Sequence, residues 1–207
     1  MQWDDWRPRN PRLTAPFQAW RDGELDEARH EFESWIAEHP SDPDGWRGLG
    51  NVFWSARIFA ACLYCYQQAV RHDAWNPMHW GNLGLVFRDL ERLAAAEACF
   101  EICLAIDPSY APGLNEWGNV CYDDGRHRAA LALYDRSLAI DRNRAVVHHN
   151  RGVCLRALGD WSGAIESFRT ALRIDPSYQH TLNELEAMDK EPGRMAIDCD
   201  VGGACCS

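Results

Sequence analysis

Small and aromatic positions return along the chain at one fixed interval. Gly50, Gly84, Gly118 and Gly152 lie 34 residues from one another in turn. A second series at the same interval is small throughout: Ala28, Cys62, Ala96, Ala130 and Ala164. A third follows it by four residues and is aromatic throughout: Phe32, Tyr66, Phe100, Tyr134 and Phe168. No insertion breaks the register over five copies, which sets repeats at 9–42, 43–76, 77–110, 111–144 and 145–178. Ser41-Asp42-Pro43, Asn76-Pro77 and Asp107-Pro108 punctuate the boundaries, as turn-forming pairs do.

The best-marked copy reads Trp80-Gly81-Asn82-Leu83-Gly84-Leu85-Val86-Phe87, then Ala96-x-x-x-Phe100, then Pro108. It resembles the tetratricopeptide repeat pattern of an aromatic, Leu-Gly, a second aromatic, Ala-x-x-x-Phe and a closing proline. The resemblance implies that each repeat is a helix–turn–helix pair. Large residues at the ends of the pattern then fill the space between the helices, and Gly84 and Ala96 let the backbones approach. Phe100 fills the gap to the next pair, and Pro108 helps to end the second helix, because proline cannot continue one. The implied fold is all-α: a right-handed α-solenoid of five helix pairs plus a C-terminal capping helix.

The ends of the chain depart from the pattern. Residues 1–13 show no helical period, and Trp3 and Trp6 there predict a leader that folds back as a cap on the first repeat. Pro16 takes the place of the Leu-Gly glycine. Proline suits a first turn and not a helix interior, so the first helix is expected to start late, with Thr14 as N-cap, and to stop at Gly23. Its partner helix is expected at about Leu25–Glu38. The turn of repeat two lacks the usual glycine near Arg57, whereas repeats four and five have Gly125 and Gly159. The solenoid thus spans 14–190, and its last helix, 179–190 with Leu182 and Leu185, reads as a solvating cap. Glu191-Pro192-Gly193 breaks that helix, and 191–207 reads as a flexible tail carrying cysteines.

Charge and composition narrow the function. At 207 residues with a formal charge of −10, the chain is a poor match for nucleic acid, whose affinity rests on Lys and Arg against phosphate. It has no 18-residue apolar run, so no membrane partner is expected. The start of the chain lacks the basic and apolar regions of a signal peptide. Nine cysteines are an odd number, and six fall inside the repeats where small or apolar residues belong, which predicts reduced thiols and a cytoplasmic protein. Cys62, Cys65, Cys99 and Cys103 could form a four-thiolate metal site only if their sulfurs converged. Core packing explains them better, because buried free cysteine behaves as a small hydrophobe. Arg151 takes the place of the buried leucine of the pattern and His148 that of its tryptophan, which predicts a paired arginine.

No nucleotide loop, zinc-protease helix or nucleophile elbow is present in the sequence, so a non-enzyme with no cofactor is expected. The family resemblance implies that the first helix of each pair lines a concave groove. The helical phase then directs Arg47, Asn51, Trp54, Asn82, Arg88, Asn115, Asn119, Tyr122, His149, Asn150 and Arg156 toward a bound partner. A ladder of Asn side chains facing solvent would pair with the amides of an extended peptide, and Trp54 and Tyr122 would anchor it. The clamp that some family members use for two carboxylates is not expected, since Leu85, Asn115 and Asn119 stand where it needs Asn, Lys and Arg. The expected function is a protein–protein scaffold that binds a protein or peptide, or that self-associates through exposed faces. The alternative is thiol or metal handling by Cys199, Cys205 and Cys206, or their modification by another enzyme, with the repeats docking a partner.

Overall fold

The computed structural model describes residues 8–189. Among them, a 3-10 turn at Pro11–Leu13 leads into eleven α-helices, and there is no strand. The helices are α1 (Thr14–Asp22), α2 (Leu25–Glu38), α3 (Pro43–Ser55), α4 (Phe59–His72), α5 (Pro77–Asp89) and α6 (Leu93–Ile106). They continue as α7 (Ala111–Asp123), α8 (His127–Ile140), α9 (Ala145–Ala157), α10 (Trp161–Ile174) and α11 (Gln179–Asp189). None of the described helices is long and apolar enough to cross a membrane.

The boundaries follow local chemistry. Asp42 and Asn76 cap α3 and α5: each side chain accepts the N–H two residues on, from Asp44 and Met78, ahead of a helix that opens with proline. Every turn inside a pair places the same phase of the repeat in the left-handed region. The φ values are +87° at Gly23, +58° at Arg57, +57° at Glu91, +75° at Gly125 and +83° at Gly159. The next residue returns its N–H to the carbonyl five residues back, as Ile58 does to Phe53 and Arg92 to Phe87, which closes a Schellman motif. The glycine missing at 57 is therefore not a different turn. Arg57 and Glu91 adopt the glycine conformation.

Thr14 is the first residue of α1 and not its N-cap. Leu13 stands at the cap with no side-chain bond, and the capping side chain lies earlier, where Asn10 accepts from the Arg12 N–H. The turn at Pro11–Leu13 runs into the helix and takes over the capping site. Pro16 then falls in the first turn, where no intrahelical N–H partner is needed. Gly23 ends α1 as expected.

The described residues fall into two compact units, one up to Asp141 and one from Arg142. In the first, α1 pairs with α2, α3 with α4, α5 with α6 and α7 with α8, and each pair stacks on the next through α2–α3, α4–α5 and α6–α7. In the second, α9 pairs with α10, and α11 packs on α10. The aromatic series forms the seams. A Cβ placed on Gly50, Gly84, Gly118 or Gly152 would lie 2.6, 2.9, 2.5 or 2.6 Å from the ring of Tyr66, Phe100, Tyr134 or Phe168, so only glycine lets the two helices meet. Ala28, Cys62, Ala96, Ala130 and Ala164 are fully buried.

The pattern's tryptophan position does a second job. Trp46 and Trp80 donate their indole N–H to the carbonyls of Pro40 and Ala74, six residues earlier, each at 2.8 Å. His148 makes the same bond from Nε2 to the Arg142 carbonyl at 3.0 Å. An imidazole can stand in for indole here because both carry a ring N–H.

Candidate functional site

In the unit up to Asp141, the first helices α3, α5 and α7 carry the residues that the sequence directs toward a partner. They divide into a buried and an accessible set. Arg47, Asn51, Asn82 and Asn115 are only 3, 5, 4 and 2 % exposed. The expected solvent-facing ladder of Asn side chains is therefore corrected at Asn51, Asn82 and Asn115, while Asn119 is partly exposed.

For Asn51, Asn115 and Arg47 the reason lies in each residue's own neighbours. The Asn51 Oδ1 accepts the Tyr66 hydroxyl at 2.7 Å, and the Asn119 Oδ1 accepts that of Tyr134 at 2.8 Å. Both bonds join the two helices of one repeat, fifteen residues apart. Where the aromatic is phenylalanine, the facing residue is apolar: Phe17 meets Phe32 edge-on at 4.9 Å, and Leu85 packs in one cluster with Phe100. A buried phenol needs an acceptor and a phenyl ring does not. Arg47 is held by Asp44 Oδ1, which accepts from Nε at 3.0 Å and Nη2 at 2.8 Å, and its guanidinium lies 4.4 Å over the Phe17 ring.

Next to this pair, Arg9 ties the start of the described chain to two acids. Its backbone N–H donates to Asp44 Oδ2 at 2.7 Å and its Nη1 to Asp73 Oδ2 at 2.8 Å. His79 lies against them, 1 % exposed. Burial, then the positive charge of Arg47, pushes its pKa down to about 4.

The accessible set is Trp54, Arg88 and Tyr122, one residue per repeat at a single helical phase and each partly exposed. Two are braced from the next repeat. Trp54 Nε1 donates to Asp89 Oδ2 at 2.7 Å, and Arg88 Nε donates to Asp123 Oδ2 at 2.6 Å. Trp20 begins the series with a bond from Nε1 to Ser55 Oγ at 2.9 Å. Donor and acceptor are thirty-five residues apart each time, one period plus one. Tyr122 lies 4.9 Å from the His127 ring.

Glu116 enters the site unannounced by the sequence reading. Its carboxylate accepts from Asn115 Nδ2 and Asn119 Nδ2, each at 3.0 Å, and Arg88 Nη1 stands 3.8 Å away. Burial raises the Glu116 pKa against the lowering effect of those neighbours, and the paired acids raise that of Arg88 although burial opposes it. The surface along α5 and α7 therefore presents acids and the Asn119 amide, with Arg88 engaged between Asp123 and Glu116. Asp89 and Asp123 could have been found by asking which residue follows the accessible one in the next repeat.

In the unit from Arg142, His149, Asn150 and Arg156 lie on α9 and are half-buried. His149 Nδ1 is 3.0 Å from Thr181 Oγ1, and its ring sits 5.6 Å from Phe168 and 5.3 Å from Tyr178. Burial, then His180, pushes its pKa down to about 4. Arg156 pairs with Glu184 on α11. Arg151 Nη1 donates to Ser167 Oγ at 2.6 Å.

Cys62, Cys65, Cys99, Cys103, Cys121 and Cys154 are buried thiols, as their repeat positions imply. Burial pushes the Cys65 and Cys103 thiols up to about 12 and Cys99 up to about 11, so the thiolate is disfavoured. No metal-holding group of His, Cys, Asp or Glu is present among the described residues. Trp3 and Trp6, the capping leader, and the tail with Cys199, Cys205 and Cys206 lie outside the described residues.

Models of the tetratricopeptide repeat match residues 109–177, 18–61 and 80–110, together well over half of the chain. The chain belongs to the tetratricopeptide repeat family. Solved structures share its fold at low identity. A thermophilic TPR protein of Thermus thermophilus, TTC0263, is 19% identical with a TM-score of 0.76, over 84% of this chain and 95% of that one. YrrB, described as a TPR protein with an unusual peptide-binding site, is 18% identical with a TM-score of 0.61, over 88% and 94%. The Cut9–Hcn1 hetero-tetramer of the APC/C gives 18% and 0.78, over 87% of this chain and 37% of that one. A search of curated proteins finds no match. Fold and family support a protein–protein interaction scaffold.

Proposed function

We propose that the protein is a non-catalytic adaptor, cytoplasmic, that holds a protein partner along its first helices, as an extended peptide or a helix. Trp54, Arg88 and Tyr122 are the contacts that matter most. The observation that carries this reading is their common phase together with the bracing of Trp54 and Arg88 by acids of the next repeat. Tryptophan, tyrosine and arginine dominate binding hot spots. A side chain already fixed by a hydrogen bond loses less freedom when it binds. Asn51, Asn82, Asn115 and Arg47 serve the site from beneath, by setting the helices. Arg156 repeats the phase of Trp54, Arg88 and Tyr122 in the unit from Arg142 and is assigned the same role there, with His149 and Asn150, at the phases of Arg47 and Asn82, beside it. The peptide-binding and multi-subunit neighbours support the class of partner and not its identity.

The test is affinity capture with the full chain, identification by mass spectrometry, and measurement of the captured partner on single variants. Trp54→Ala, Arg88→Ala and Tyr122→Ala are each expected to weaken binding at least tenfold, while Tyr64→Ala, on the exposed face of α4, leaves it unchanged. If Tyr64→Ala abolishes binding and the three variants do not, the partner sits on the second helices and the reading fails.

A further inference from the structure

Arg88 stands among three acids. Asp123 Oδ2 accepts from its Nε at 2.6 Å, and Glu116 Oε2 lies 3.8 Å from its Nη1. The charge of Asp89 acts on it as well. Asp89 itself accepts from Trp54 Nε1, and an indole brings no charge to offset the carboxylate. Along α5 and α7 the accessible row therefore holds more negative charge than Arg88 can cancel. The arginines nearest in the chain are engaged elsewhere. Arg126 pairs with Glu97 and Asp124, and Arg92 lies 4.9 Å over the Phe87 ring. Asp89 and Asp123 are exposed and Glu116 is partly so, which leaves all three within reach of a partner.

Two of these acids are placed against their own helices. Asp89 is the last residue of α5 and Asp123 the last of α7. A helix C-terminus carries partial negative charge, so an acid there is unfavourable for the helix and deepens the field around its end. Trp54 and Tyr122 lie in the same row, each partly exposed. Faces of such rings attract cations. A lysine or arginine brought to the row thus meets carboxylates, helix ends and aromatic faces of one sign of field, whereas an acid is repelled. A second copy of this chain, at a formal charge of −10, is a poor occupant for an acidic face.

We propose that the partner segment on this row is basic, with lysines or arginines set against Asp89, Glu116 and Asp123 and apolar side chains set against Trp54 and Tyr122. Opposite charge then speeds the encounter and selects the segment, while the rings hold it. The inference rests on the proposed function and names the chemistry of its partner.

The test uses the full chain and three synthetic peptides of equal length. All carry leucine at every third place, and the remaining places are lysine, glutamine or glutamate. The lysine peptide should bind at least tenfold more tightly than the other two. That preference should shrink as salt rises from about 0.05 to about 0.5 M, because screening shortens the reach of the field. The triple variant Asp89→Asn, Glu116→Gln and Asp123→Asn keeps the acceptor oxygens and removes the charge, so it should abolish the preference while circular dichroism stays unchanged. A control triple, Glu27→Gln, Glu31→Gln and Glu101→Gln, removes the same charge from exposed places on the second helices α2 and α6 and should leave the preference intact. If the row triple does not fold, Asp89→Asn alone should lower the preference at least twofold. Equal binding of the three peptides overturns the basic partner, as does a preference that survives the row triple or falls equally in the control. Trp54→Ala separates the two readings: if it weakens all three peptides alike, the row still binds a partner and only its charge preference is lost.

Discussion

The hydroxyl of Tyr66 donates to Asn51 Oδ1 at 2.7 Å, from the second helix of a repeat to the first. The pair is buried, so neither residue can be changed alone without stranding a polar group. Asn51→Leu leaves the phenol without an acceptor and is expected to cost about 1–3 kcal/mol. The double change Asn51→Leu with Tyr66→Phe copies the Leu85 and Phe100 pair of the next repeat and should recover most of that loss. Denaturant unfolding of the four proteins of the cycle measures the coupling. Strict additivity would mean the bond contributes nothing specific.

Gly84→Leu is expected to destabilise strongly. A Cβ at Gly84 would already lie 2.9 Å from the Phe100 ring, and overpacking a tight core contact costs roughly 1–3 kcal/mol. Unchanged thermal stability would show that the ring moves aside freely.

Arg57 and Glu91 hold φ values of +58° and +57° where three other repeats use glycine. Left-handed backbone is unfavourable for a residue with a Cβ, by about 1–2 kcal/mol, and part of that is offset by the greater freedom glycine loses on folding. Arg57→Gly and Glu91→Gly are each expected to stabilise by up to about 1 kcal/mol, read as a higher midpoint in urea.

Acid should weaken the fold through two histidines. Burial holds His79 and His149 near pKa 4, below the ordinary histidine value near 6.5. The unfolded chain takes up these protons first, so the stability they carry is complete above about pH 6.5 and is lost as the pH falls toward 4. Glu116 acts in the opposite sense, because its folded pKa is raised. Thermal melts from pH 7 to pH 4 should show the decline. His149→Phe should flatten the part that belongs to the unit from Arg142.

Brief native alkylation followed by mass spectrometry should leave Cys62, Cys65, Cys99, Cys103, Cys121 and Cys154 unlabelled, since all six are buried and burial pushes up the thiols of Cys62, Cys65, Cys99, Cys103 and Cys121. Any fast label then reports Cys199, Cys205 or Cys206 and gives the thiol-handling alternative its first test. Label on a repeat cysteine would mean that the pairs open readily.

The helix pairs were legible because spacing alone carries them: glycine, alanine and aromatic at one period leave little choice of packing. The accessible row was legible too, from phase. Asn51 and Asn119 misled because the phase compares each only with its counterparts in other repeats. The deciding neighbour stands in the same repeat, where Tyr66 and Tyr134 face Asn51 and Asn119 while Phe32 and Phe100 face Phe17 and Leu85. Glu116 stayed hidden for another reason. Its partners Asn115 and Asn119 are local, but Arg88 comes from the preceding repeat, and only the stacking of α5 on α7 brings it near.

The braces from Trp20 to Ser55, Trp54 to Asp89 and Arg88 to Asp123 share one spacing, so their halves are interchangeable parts. If residues 77–110 were excised, Trp54 would meet Asp123 in place of Asp89, and the indole would still find a carboxylate. The tyrosine–asparagine bonds lie within single repeats and would travel with them unbroken. Such a chain can lose a whole link and rejoin with its fittings matched, whereas a cut of any other length leaves mismatched ends. The shortened protein is expected to fold with lower stability, and aggregation in every buffer would show that the joints are not equivalent.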